Sequence, residues 1–352
     1  MKTSRVIGVM SGTSLDGVDI AYCEFSNVSD KWSYQIIFAE TIPYDDCWKK
    51  CLSNLENSTA VEFVQTHNLY GHYTGRLISD FITRYNIFPD FIASHGHTIF
   101  HQPENKTTFQ IGNGAAIAAE CMVPVVCDFR STDIALGGQG APLVPIGDKM
   151  LFASFDFCLN LGGFANISYD GADKRIAYDI CPVNIVLNKI ARSINKDYDH
   201  NGEIASTGTI NQNLLNKLND LDYYKTSFPK SLGKEWVIKF FDPIVESFNI
   251  SVEDKLCTLC EHIAMQIANT DRIIQGKRML ITGGGAYNSY LLSRLKAYCK
   301  CEIVIPDKQT VEYKEALIFA FLGLLRFKSQ VNCLRSVTGA SRDNIGGAIY
   351  FG

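Results

Sequence analysis

The turn within residues 8–19 constrains the fold of this chain more than any other stretch. It has the sequence Gly8-Val-Met-Ser-Gly-Thr-Ser-Leu-Asp-Gly-Val-Asp19 and lies where two apolar runs meet, residues 5–10 and residues 18–25. Two short apolar runs joined by turn residues, with Asp16-Gly17 in the bend, predict a β-hairpin. No helical pattern opens directly after the turn, so we do not predict a strand-to-helix loop here.

The residue types in this turn suit the binding of an anion. Gly12 and Gly17 can adopt positive φ, which would let backbone N–H groups approach a ligand closely. Asp16 and Asp19 can hold a hydrated cation beside that anion. The spacing of the glycines matches neither the Walker pattern nor Gly-x-Gly-x-x-Gly. The alternative to an anion site is a tight hairpin whose glycines serve only the turn. Further hydroxyl donors in the turn are Ser11, Thr13 and Ser14.

Length and composition limit the class of protein. A chain of 352 residues predicts about two domains, and 46% hydrophobic with 20% charged residues is typical of a well-packed globular protein. The longest apolar run, residues 316–325, is about half the length that a membrane helix needs. The first residues show no signal-peptide pattern, which predicts a cytoplasmic protein. A net charge of −4 without a Lys/Arg cluster argues against nucleic-acid or membrane partners.

Some cysteine and histidine patterns in the sequence suggest metal sites, but the residues around these patterns do not favour metal binding. Cys257-Thr-Leu-Cys260 is an isolated Cys-x-x-Cys inside the amphipathic run 252–273, whereas structural zinc sites normally need four ligands. Twelve cysteines scattered through apolar segments predict reduced, mostly buried thiols. His95, His97 and His101 have no flanking carboxylate or thiol, and we expect them at the polar edge of a pocket.

The second half of the chain repeats the pattern of the first. A predicted strand over residues 157–161 runs into Gly162-Gly-Phe-Ala-Asn166, and strands over residues 167–169 and 175–178 follow. A strand, a glycine turn, a strand and an Asp-Gly bend therefore recur about 150 residues apart, which predicts two similar halves with a ligand between them. Asp179 follows the last of these strands and is a candidate general base, with a turn or helix-capping role as the alternative.

Three further stretches extend this pattern. A strand over residues 278–282, the turn Gly283-Gly-Gly285 and a helix over residues 287–298 leave bare backbone at the turn. Such a turn can seat a flat base or a ribose, unless its glycines serve only close packing. Residues 128–145 form a long polar, glycine-rich passage, and such loops are usually functional. Glu315 directly precedes the apolar helix predicted over residues 316–327. It is a candidate functional residue, and the alternative is a first-turn residue that the helix dipole favours.

Taken together, these motifs resemble one known family. The sequence resembles the anhydro-N-acetylmuramic acid kinases, bacterial sugar kinases of the actin, Hsp70 and hexokinase superfamily. The resemblance runs in the family's order over nearly the whole chain. The motifs that carry it are Met10-Ser-Gly-Thr-Ser-Leu-Asp-Gly-Val-Asp19, Asp128-Phe-Arg130, Gly137-Gly-Gln-Gly-Ala-Pro-Leu-Val-Pro145, Asn160-Leu-Gly-Gly-Phe-Ala-Asn-Ile167, Gly283-Gly-Gly-Ala-Tyr-Asn288, Glu315-Ala316 and Ser336-Val-Thr-Gly-Ala340.

The resemblance implies both a fold and a reaction. The fold is a two-lobed, actin-like ATPase (ribonuclease H-like) α/β fold, with duplicated mixed β-sheets flanked by helices and a central cleft. The reaction uses ATP and Mg²⁺ to phosphorylate the sugar 6-oxygen while water opens the 1,6-anhydro bond. It yields N-acetylmuramic acid 6-phosphate during the recycling of cell-wall fragments. Family members are often dimeric, so a homodimer is one expected assembly.

The resemblance also implies roles for individual residues. Asp179 takes the position of the catalytic base, and Asp16 and Asp19 take the position of metal ligands. Arg130 suits the lactyl carboxylate of the sugar, because its guanidinium fork matches that group. The residues implied for the sugar are Arg130, Asp133, Gln139 and Glu315. The residues implied for ATP are Gly12, Thr13, Ser14, Leu15, Asp16, Gly17, Val18, Asp19, Gly162, Gly163, Gly283, Gly284, Gly285 and Asn288.

One segment departs from the family pattern. The family usually carries Asp-Thr-Gly-Pro-Gly-Asn around its base, whereas this chain has Asp179-Ile-Cys-Pro-Val-Asn184. Ile180 replaces a threonine, and Cys181 and Val183 replace glycines, so the segment loses a hydroxyl and gains bulk. This predicts a smaller or less polar pocket. The loss of the two glycines also restricts the backbone angle φ at those positions. A kinase for a different sugar and a non-catalytic sensor of sugar or nucleotide are therefore alternatives. A metal-dependent hydrolase built on His95, His97 and His101 is a third.

The two halves also predict domain borders. Residues 1–135 are expected to form a first lobe that carries the first phosphate hairpin. Residues 136–334 are expected to form a second lobe with the second hairpin and the nucleoside-binding glycine turn. Residues 335–352 can pack back on the first lobe, as C-terminal helices do in this superfamily.

Overall fold

The computed structural model describes residues 3–12, 14–270 and 277–352. The chain divides into two compact units: unit 1 comprises Met1–Phe152 and Tyr313–Gly352, and unit 2 comprises Ala153–Glu312. This division differs from the predicted borders at residues 135 and 335, both of which lie inside unit 1. The second border falls within a helix, at Tyr313, whose backbone angles (φ −112°, ψ 17°) are not helical. No linker composition marks it in the sequence.

Both units contain strands and helices, and each begins with three consecutive strands. The strands are β1 (Ser4–Ser11), β2 (Gly17–Val28), β3 (Lys31–Pro43), β4 (Phe91–Gln102), β5 (Thr107–Ile111), β6 (Val125–Cys127), β7 (Phe157–Leu161), β8 (Phe164–Asp170), β9 (Arg175–Pro182), β10 (Arg278–Thr282), β11 (Glu302–Val304) and β12 (Ala348–Tyr350). The helices are α1 (Asp46–Asn54), α2 (Ala60–Tyr85), α3 (Gly114–Cys121), α4 (Ser131–Ala135), α5 (Val144–Leu151), α6 (Asn184–Arg192), α7 (Glu203–Thr207), α8 (Gln212–Asn219), α9 (Asp222–Lys225), α10 (Lys234–Trp236), α11 (Asp242–Glu246), α12 (Val252–Ala268), α13 (Ser289–Tyr298), α14 (Lys308–Phe327) and α15 (Arg335–Thr338).

The predicted duplication is confirmed by the topology of the two sheets. The sheet of unit 1 has the order β12-β6-β4-β1-β2-β3, with β5 paired to β4, and the sheet of unit 2 has the order β11-β10-β7-β8-β9. In each sheet three antiparallel strands come first in sequence. Two further strands then extend the sheet in parallel from the first of the three. Each unit is therefore built around a mixed β-sheet with helices, which confirms the predicted α/β fold class.

The long helix α2 shows how local sequence defines an element. The Thr59 hydroxyl accepts from the Glu62 N–H, and the Glu62 carboxylate accepts from the Thr59 N–H at 2.9 Å, which forms a capping box. Asn86 ends the helix in the left-handed conformation (φ 50°). Ile78 and Phe81 of the inner face are fully buried in the core of unit 1. Caps and apolar spacing together explain why Ala60–Tyr85 forms a helix.

Two stretches differ from the prediction, and the histidine run lies within a strand. Strand β4 continues through the three histidines to Gln102. The long passage over residues 128–145 contains the short helix α4 and the start of α5. Strand β9 continues past Asp179 to Pro182, so the prediction that Asp179 stands at a strand end is wrong. Pairing with β5 extends β4 through the histidines, and pairing with β8 extends β9 through Asp179.

Each unit has its own apolar core. In unit 1, α14 packs so closely on β1 that a Cβ at Gly8 would lie 1.9 Å from the Ala316 carbonyl oxygen, which only glycine avoids. In unit 2, α12 supplies Leu259, Cys260 and Ile263 to a core shared with the five-stranded sheet. The cysteines are free thiols and most of them are buried. In the described part of the chain, no helix is both long and apolar enough to cross a membrane.

Unit 1 contains a buried ion pair whose loss should lower the free energy of unfolding. Lys314 Nζ on α14 lies 2.8 Å from Asp148 Oδ1 on α5, and both side chains are about 5% exposed. We expect Lys314→Met to lower the free energy of unfolding by about 3 to 5 kcal/mol, because it removes a buried countercharge. Urea unfolding measures the change. Lys49→Met, at an exposed lysine of the same unit, is the control, and an equal loss in both variants would contradict the prediction.

Candidate active site

The first hairpin has the predicted strands but a different turn geometry. β1 ends at Ser11 and β2 begins at Gly17, paired so that Met10 faces Asp19. Neither Gly12 nor Gly17 adopts positive φ, which corrects the prediction; Leu15 does so instead (φ 60°). Gly17 is required by packing, because a Cβ there would lie 2.3 Å from the Ile42 carbonyl oxygen. Among the residues that the structure describes, the nearest atom to a Cβ on Gly12 would be Ser14 Oγ, at 3.5 Å.

The remaining hairpin residues differ in exposure. Ser14 and Asp16 are exposed, whereas the Val18 side chain is fully buried in the core and can contribute only its backbone to a ligand. Asp19 is half-buried and accepts a hydrogen bond from Thr41 Oγ1 at 2.6 Å. Thr13 lies outside the described residues. Asp16 and Asp19 thus provide hard carboxylate oxygens of the kind that Mg²⁺ prefers.

A buried chain of polar side chains anchors the start of this turn. Ser11 Oγ lies 2.6 Å from the Tyr44 hydroxyl and 2.8 Å from His97 Nδ1, and the Tyr44 hydroxyl in turn contacts that of Tyr70. Burial lowers the pKa of His97 to about 4, so its imidazole is neutral at physiological pH. The network fixes the last residue of β1, directly before Gly12.

Arg130 is held by a neighbouring histidine and a backbone carbonyl. Its Nε and Nη2 donate to His95 Nε2 at 3.1 and 2.9 Å, and its Nη1 donates to the Gly140 carbonyl at 2.6 Å. His95 Nδ1 lies 2.9 Å from the Gly96 carbonyl, which selects the tautomer that leaves Nε2 as an acceptor. Burial places the pKa of His95 well below its usual range and lowers that of Arg130 to about 10. The guanidinium therefore remains cationic beside a neutral imidazole.

Glu315 lies on α14, close to both Arg130 and Asp19. The residue reaches solvent, yet the protein atoms around its carboxylate raise its pKa. The nearby Arg130 guanidinium opposes this shift, and the Asp19 carboxylate adds to it. Unit 1 therefore gathers one guanidinium and two carboxylates that sequence analysis assigns to the sugar and the metal.

The other two residues assigned to the sugar have different surroundings. Asp133 is fully buried, with Oδ2 accepting from the Gly140 N–H and Oδ1 accepting from Thr338 and Asn344, each at 2.8 Å. Its carboxylate thus holds the glycine-rich loop in place. Gln139, on that loop, is exposed, and its backbone N–H donates to the Thr338 carbonyl at 2.8 Å.

The second hairpin lies between β7 and β8. A Cβ on Gly163 would meet no protein atom within 4 Å, and a Cβ on Gly162 would lie 3.1 Å from the Asn160 side chain. The carbonyls of both glycines accept hydrogen bonds from N–H groups at the start of α6, including Val183 and Asn184. The hairpin is therefore tied to the segment that directly follows Asp179.

Asp179 lies on β9 beside an irregularity in the strand pairing. Asn166 of β8 pairs with Asp179 and Ala165 pairs with Cys181, so Ile180 is an extra residue that bulges out of register. The carboxylate Oδ2 accepts from the Leu232 N–H at 2.9 Å, and the Asp179 carbonyl accepts from the Tyr223 hydroxyl at 2.6 Å. Burial raises the pKa of Asp179, and the Leu232 bond partly offsets this rise. A carboxylate with a raised pKa suits proton abstraction.

The residues that depart from the family pattern lie in the core of unit 2. Ile180, Cys181 and Val183 are all buried there, each less than 5% exposed. Their bulk fills the interior of the unit, so the prediction that they narrow a pocket lacks support. The departure from the family pattern is a change in core packing behind Asp179.

The glycine turn after β10 is shaped partly by packing. Gly283 has φ 84°, and a Cβ there would lie 2.6 Å from Asn160 Oδ1, while a Cβ on Gly285 would lie 2.6 Å from Leu161 Cβ. Gly284 is less confined, since its nearest atom would be 3.5 Å away. Asn288 caps α13 by accepting from the Leu291 N–H at 2.9 Å. Of the four predicted nucleoside contacts, Gly284 has the most open surroundings.

Two sets of partners have no clear signal in the sequence. His95 was expected at the polar edge of a pocket, but no pattern pairs it with Arg130. Tyr223 and Leu232 contact Asp179 from positions 44 and 53 residues further along the chain, and no motif marks them. Both sets depend on tertiary contacts. Only the histidine run carried a local hint.

The two mixed sheets share one strand plan, and each opens with a glycine-containing hairpin, which defines the class of duplicated two-lobed α/β folds. A family model described as anhydro-N-acetylmuramic acid kinase matches residues 4–352. The chain belongs to the anhydro-N-acetylmuramic acid kinase family.

Individual relatives agree with this assignment. The chain is 34% identical to the anhydro-N-acetylmuramic acid kinase of Photobacterium profundum, with 99% of each chain covered. It is also 34% identical to the enzyme of that name from Francisella tularensis subsp. novicida, with 98% of each covered. Among solved structures it is similar to the activator of the 2-hydroxyisocaproyl-CoA dehydratase from Clostridium difficile with bound ADPNP. That likeness has a TM-score of 0.45 and 13% identity, and covers 92% of this chain and 97% of that one.

Proposed function

We propose that this protein is an ATP-dependent kinase for 1,6-anhydro-N-acetylmuramic acid. Water opens the anhydro ring as the sugar 6-oxygen receives the γ-phosphate, and the product is N-acetylmuramic acid 6-phosphate. The observation that carries the proposal is the half-buried Asp179 carboxylate, which accepts from the Leu232 N–H at 2.9 Å and whose pKa is raised by desolvation, in a chain that matches the family over residues 4–352. Such a carboxylate has the properties of a general base, and ring opening by water requires one.

In this mechanism Asp179 removes a proton from water as the water oxygen attacks the anomeric carbon. The bond from that carbon to the 6-oxygen of the anhydro bridge breaks. The departing 6-oxygen attacks the γ-phosphorus of ATP, whose bond to the β-phosphate oxygen breaks and releases ADP. Burial raises the pKa of Asp179, which increases its basicity when ionised. Its Oδ2 is fixed by the Leu232 N–H, so the carboxylate has a defined orientation.

The two hairpins are proposed to bind the ATP phosphates. Gly12 and Gly163 have free space where a side chain would be, which lets a phosphate oxygen approach the backbone N–H groups. Asp16 and Asp19 would hold Mg²⁺, which supplies charge neutralisation at the phosphates when bound. Gly284 would leave room for the nucleoside at the third turn.

The sugar contacts are proposed to come from unit 1. Arg130 would pair with the lactyl carboxylate, because its guanidinium is cationic and its orientation is set by His95 and Gly140. Glu315 would accept from a sugar hydroxyl or amide. Gln139 is exposed on the loop that Asp133 holds, so Asp133 would act through this loop instead of touching the sugar.

Gly163→Ala tests the hairpin assignment. We expect the KM for ATP to rise about tenfold, because the methyl group would occupy the space proposed for a phosphate. Stability should not change, since the added Cβ meets no protein atom within 4 Å. Steady-state kinetics and a thermal melt measure both quantities. Gly171→Ala is the control: its Cβ would lie 2.8 Å from Ile176 Cδ1, so it should lower stability and leave the KM for ATP unchanged.

The overall function is tested by ADP release with Mg-ATP, with and without the anhydro sugar, followed by mass analysis of the sugar. Sugar-dependent ADP and a product heavier by one phosphate and one water would support the proposal. ATP binding without sugar-dependent turnover would favour the sensor. Turnover only with another sugar would move the proposal to that substrate.

A further inference from the structure

The structure assigns residues 223–232, here called the strap, the task of positioning the Asp179 carboxylate. This inference rests on the proposed role of Asp179 as the base. The strap begins within α9, ends just before α10 and contacts β9, the edge strand of the sheet in unit 2. An edge strand presents backbone groups that another segment can pair with.

The strap occupies every hydrogen-bonding group of Asp179 except one carboxylate oxygen. The Leu232 N–H donates to Oδ2 at 2.9 Å, the Tyr223 hydroxyl donates to the backbone carbonyl at 2.6 Å, and the Asp179 N–H donates to the Lys230 carbonyl at 3.4 Å. Oδ1 accepts no hydrogen bond from the part of the chain that the structure describes. It is therefore the oxygen that can take a proton from water.

The strap contacts β9 directly beside the bulge at Ile180. An extra residue interrupts the pairing of β8 with β9 and bends the strand locally. The Asp179 N–H and C=O bond to the strap beside this interruption. The strap thereby supplies hydrogen bonds that the regular ladder does not, and its Leu232 N–H extends this pairing to the carboxylate.

The strap is itself anchored by aromatic and cationic contacts. Lys230 Nζ lies 4.5 Å from the centroid of the Tyr223 ring and donates to the Tyr223 carbonyl at 3.1 Å. Phe228 stacks on Tyr178, the residue before Asp179, with ring centroids 5.7 Å apart and an interplanar angle of 10°. These contacts close the segment on itself and on β9, so the Leu232 N–H has a fixed position.

The strap also affects the protonation of Asp179. Burial raises the pKa of this carboxylate and the Leu232 N–H lowers it, because a hydrogen bond to the charged oxygen favours ionisation. Titratable groups beside this site include Cys181 on β9 and Tyr223 and Lys230 on the strap. Tyr178 and Tyr224 in turn interact with Tyr223. Burial raises the pKa of Cys181 and Tyr223, which keeps both neutral at working pH, and lowers that of Lys230.

The test compares Leu232→Pro, which removes the N–H, with Leu232→Ala, which keeps it and trims the same half-buried side chain. For Leu232→Pro we expect kcat to fall about tenfold or more, with the sugar KM changed less than about threefold. The acidic limb of its kcat/KM profile should move up by roughly one pH unit, since the pKa of Asp179 rises when the hydrogen bond is lost. Leu232→Ala should keep the wild-type kcat and profile.

Superposed pH profiles for the proline and alanine variants, with equal kcat, would overturn the inference. If Leu232→Pro does not fold, Tyr223→Phe decides the question: a lower kcat at constant sugar KM supports positioning, and wild-type kcat overturns it. Asp179→Asn distinguishes a failure of the proposed base from a failure of the proposed role of the strap. Full activity of Asp179→Asn would contradict the assignment of Asp179 as the base. If Asp179→Asn is inactive and Leu232→Pro is fully active, only the proposed role of the strap is contradicted.

Discussion

Asp179→Asn is expected to lower sugar-dependent ADP formation about a thousandfold, which is within the usual contribution of a general base. The amide cannot accept the proton that water must lose as it attacks the anomeric carbon. The fold should persist, because an amide oxygen can still accept the hydrogen bond from the Leu232 N–H. The KM for the sugar should change little, since the loss falls on the chemical step.

The stability of Asp179→Asn provides a second readout. Burial raises the pKa of Asp179 in the folded protein, so above that pKa ionisation of the carboxylate opposes folding. The neutral amide removes this cost, and the variant should melt at the same temperature as the wild type or higher. Loss of activity with equal or greater stability is the pattern expected when a charged group is retained for function.

Asp173→Asn is the matched control for this experiment. Asp173 lies in the exposed turn between β8 and β9, so the control makes the same chemical change in the same sheet. It should keep wild-type turnover. Wild-type turnover in Asp179→Asn would falsify the base assignment, and equal losses in both variants would point to general damage to the sheet.

Local sequence predicted those parts of the fold that depend on local interactions. The first hairpin follows from two apolar runs and a bend at Asp16-Gly17, and α2 follows from its caps and apolar spacing. The recurrence of this pattern in the second half predicted the duplicated sheets, which share strand order and direction. The residue that adopts positive φ was predicted wrongly, because Leu15 does so while both glycines of the turn do not.

The candidate site residues were predicted from motifs, but their contacts could not be. Asp179 and Arg130 were chosen by their position in motifs, whereas the residues that contact them come from distant parts of the chain. The Leu232 N–H is a backbone group, so the residue type at position 232 carries no signal of its hydrogen bond to Asp179. Likewise, His95 acts as a neutral acceptor only because burial and the Gly96 carbonyl fix its tautomer. Such partners depend on tertiary packing.

Domain borders were predicted poorly for a related reason. Linkers are usually recognised by their composition, but unit 2 ends inside α14, at Tyr313. The helix pattern continues across this point, and the sequence shows only a run of helix-forming residues. The first border likewise follows α5, which packs with unit 1 although its sequence continues from the glycine-rich loop.

Arg130→Ala is expected to raise the KM for the anhydro sugar about a hundredfold and to change kcat much less. A hydrogen-bonded pair of guanidinium and carboxylate contributes about 1.5 to 3 kcal/mol, and this energy would be lost equally in the ground state and the transition state. Arg130→Lys keeps the charge but loses the planar fork, so we expect an intermediate KM. Steady-state kinetics at saturating Mg-ATP measure both variants, and a thermal melt confirms that each is folded.

A second substrate makes the assignment specific to the lactyl group. 1,6-Anhydro-N-acetylglucosamine lacks that carboxylate, so wild type and Arg130→Ala should have similar KM values for it if they turn it over. The ratio of KM values for the two sugars therefore isolates the interaction between Arg130 and the carboxylate. If Arg130→Ala raised the KM for both sugars equally, the arginine would act by supporting the loop through Gly140, its partner at 2.6 Å, and the carboxylate would need another partner. An unchanged KM for the anhydromuramic sugar would exclude Arg130 from its binding altogether.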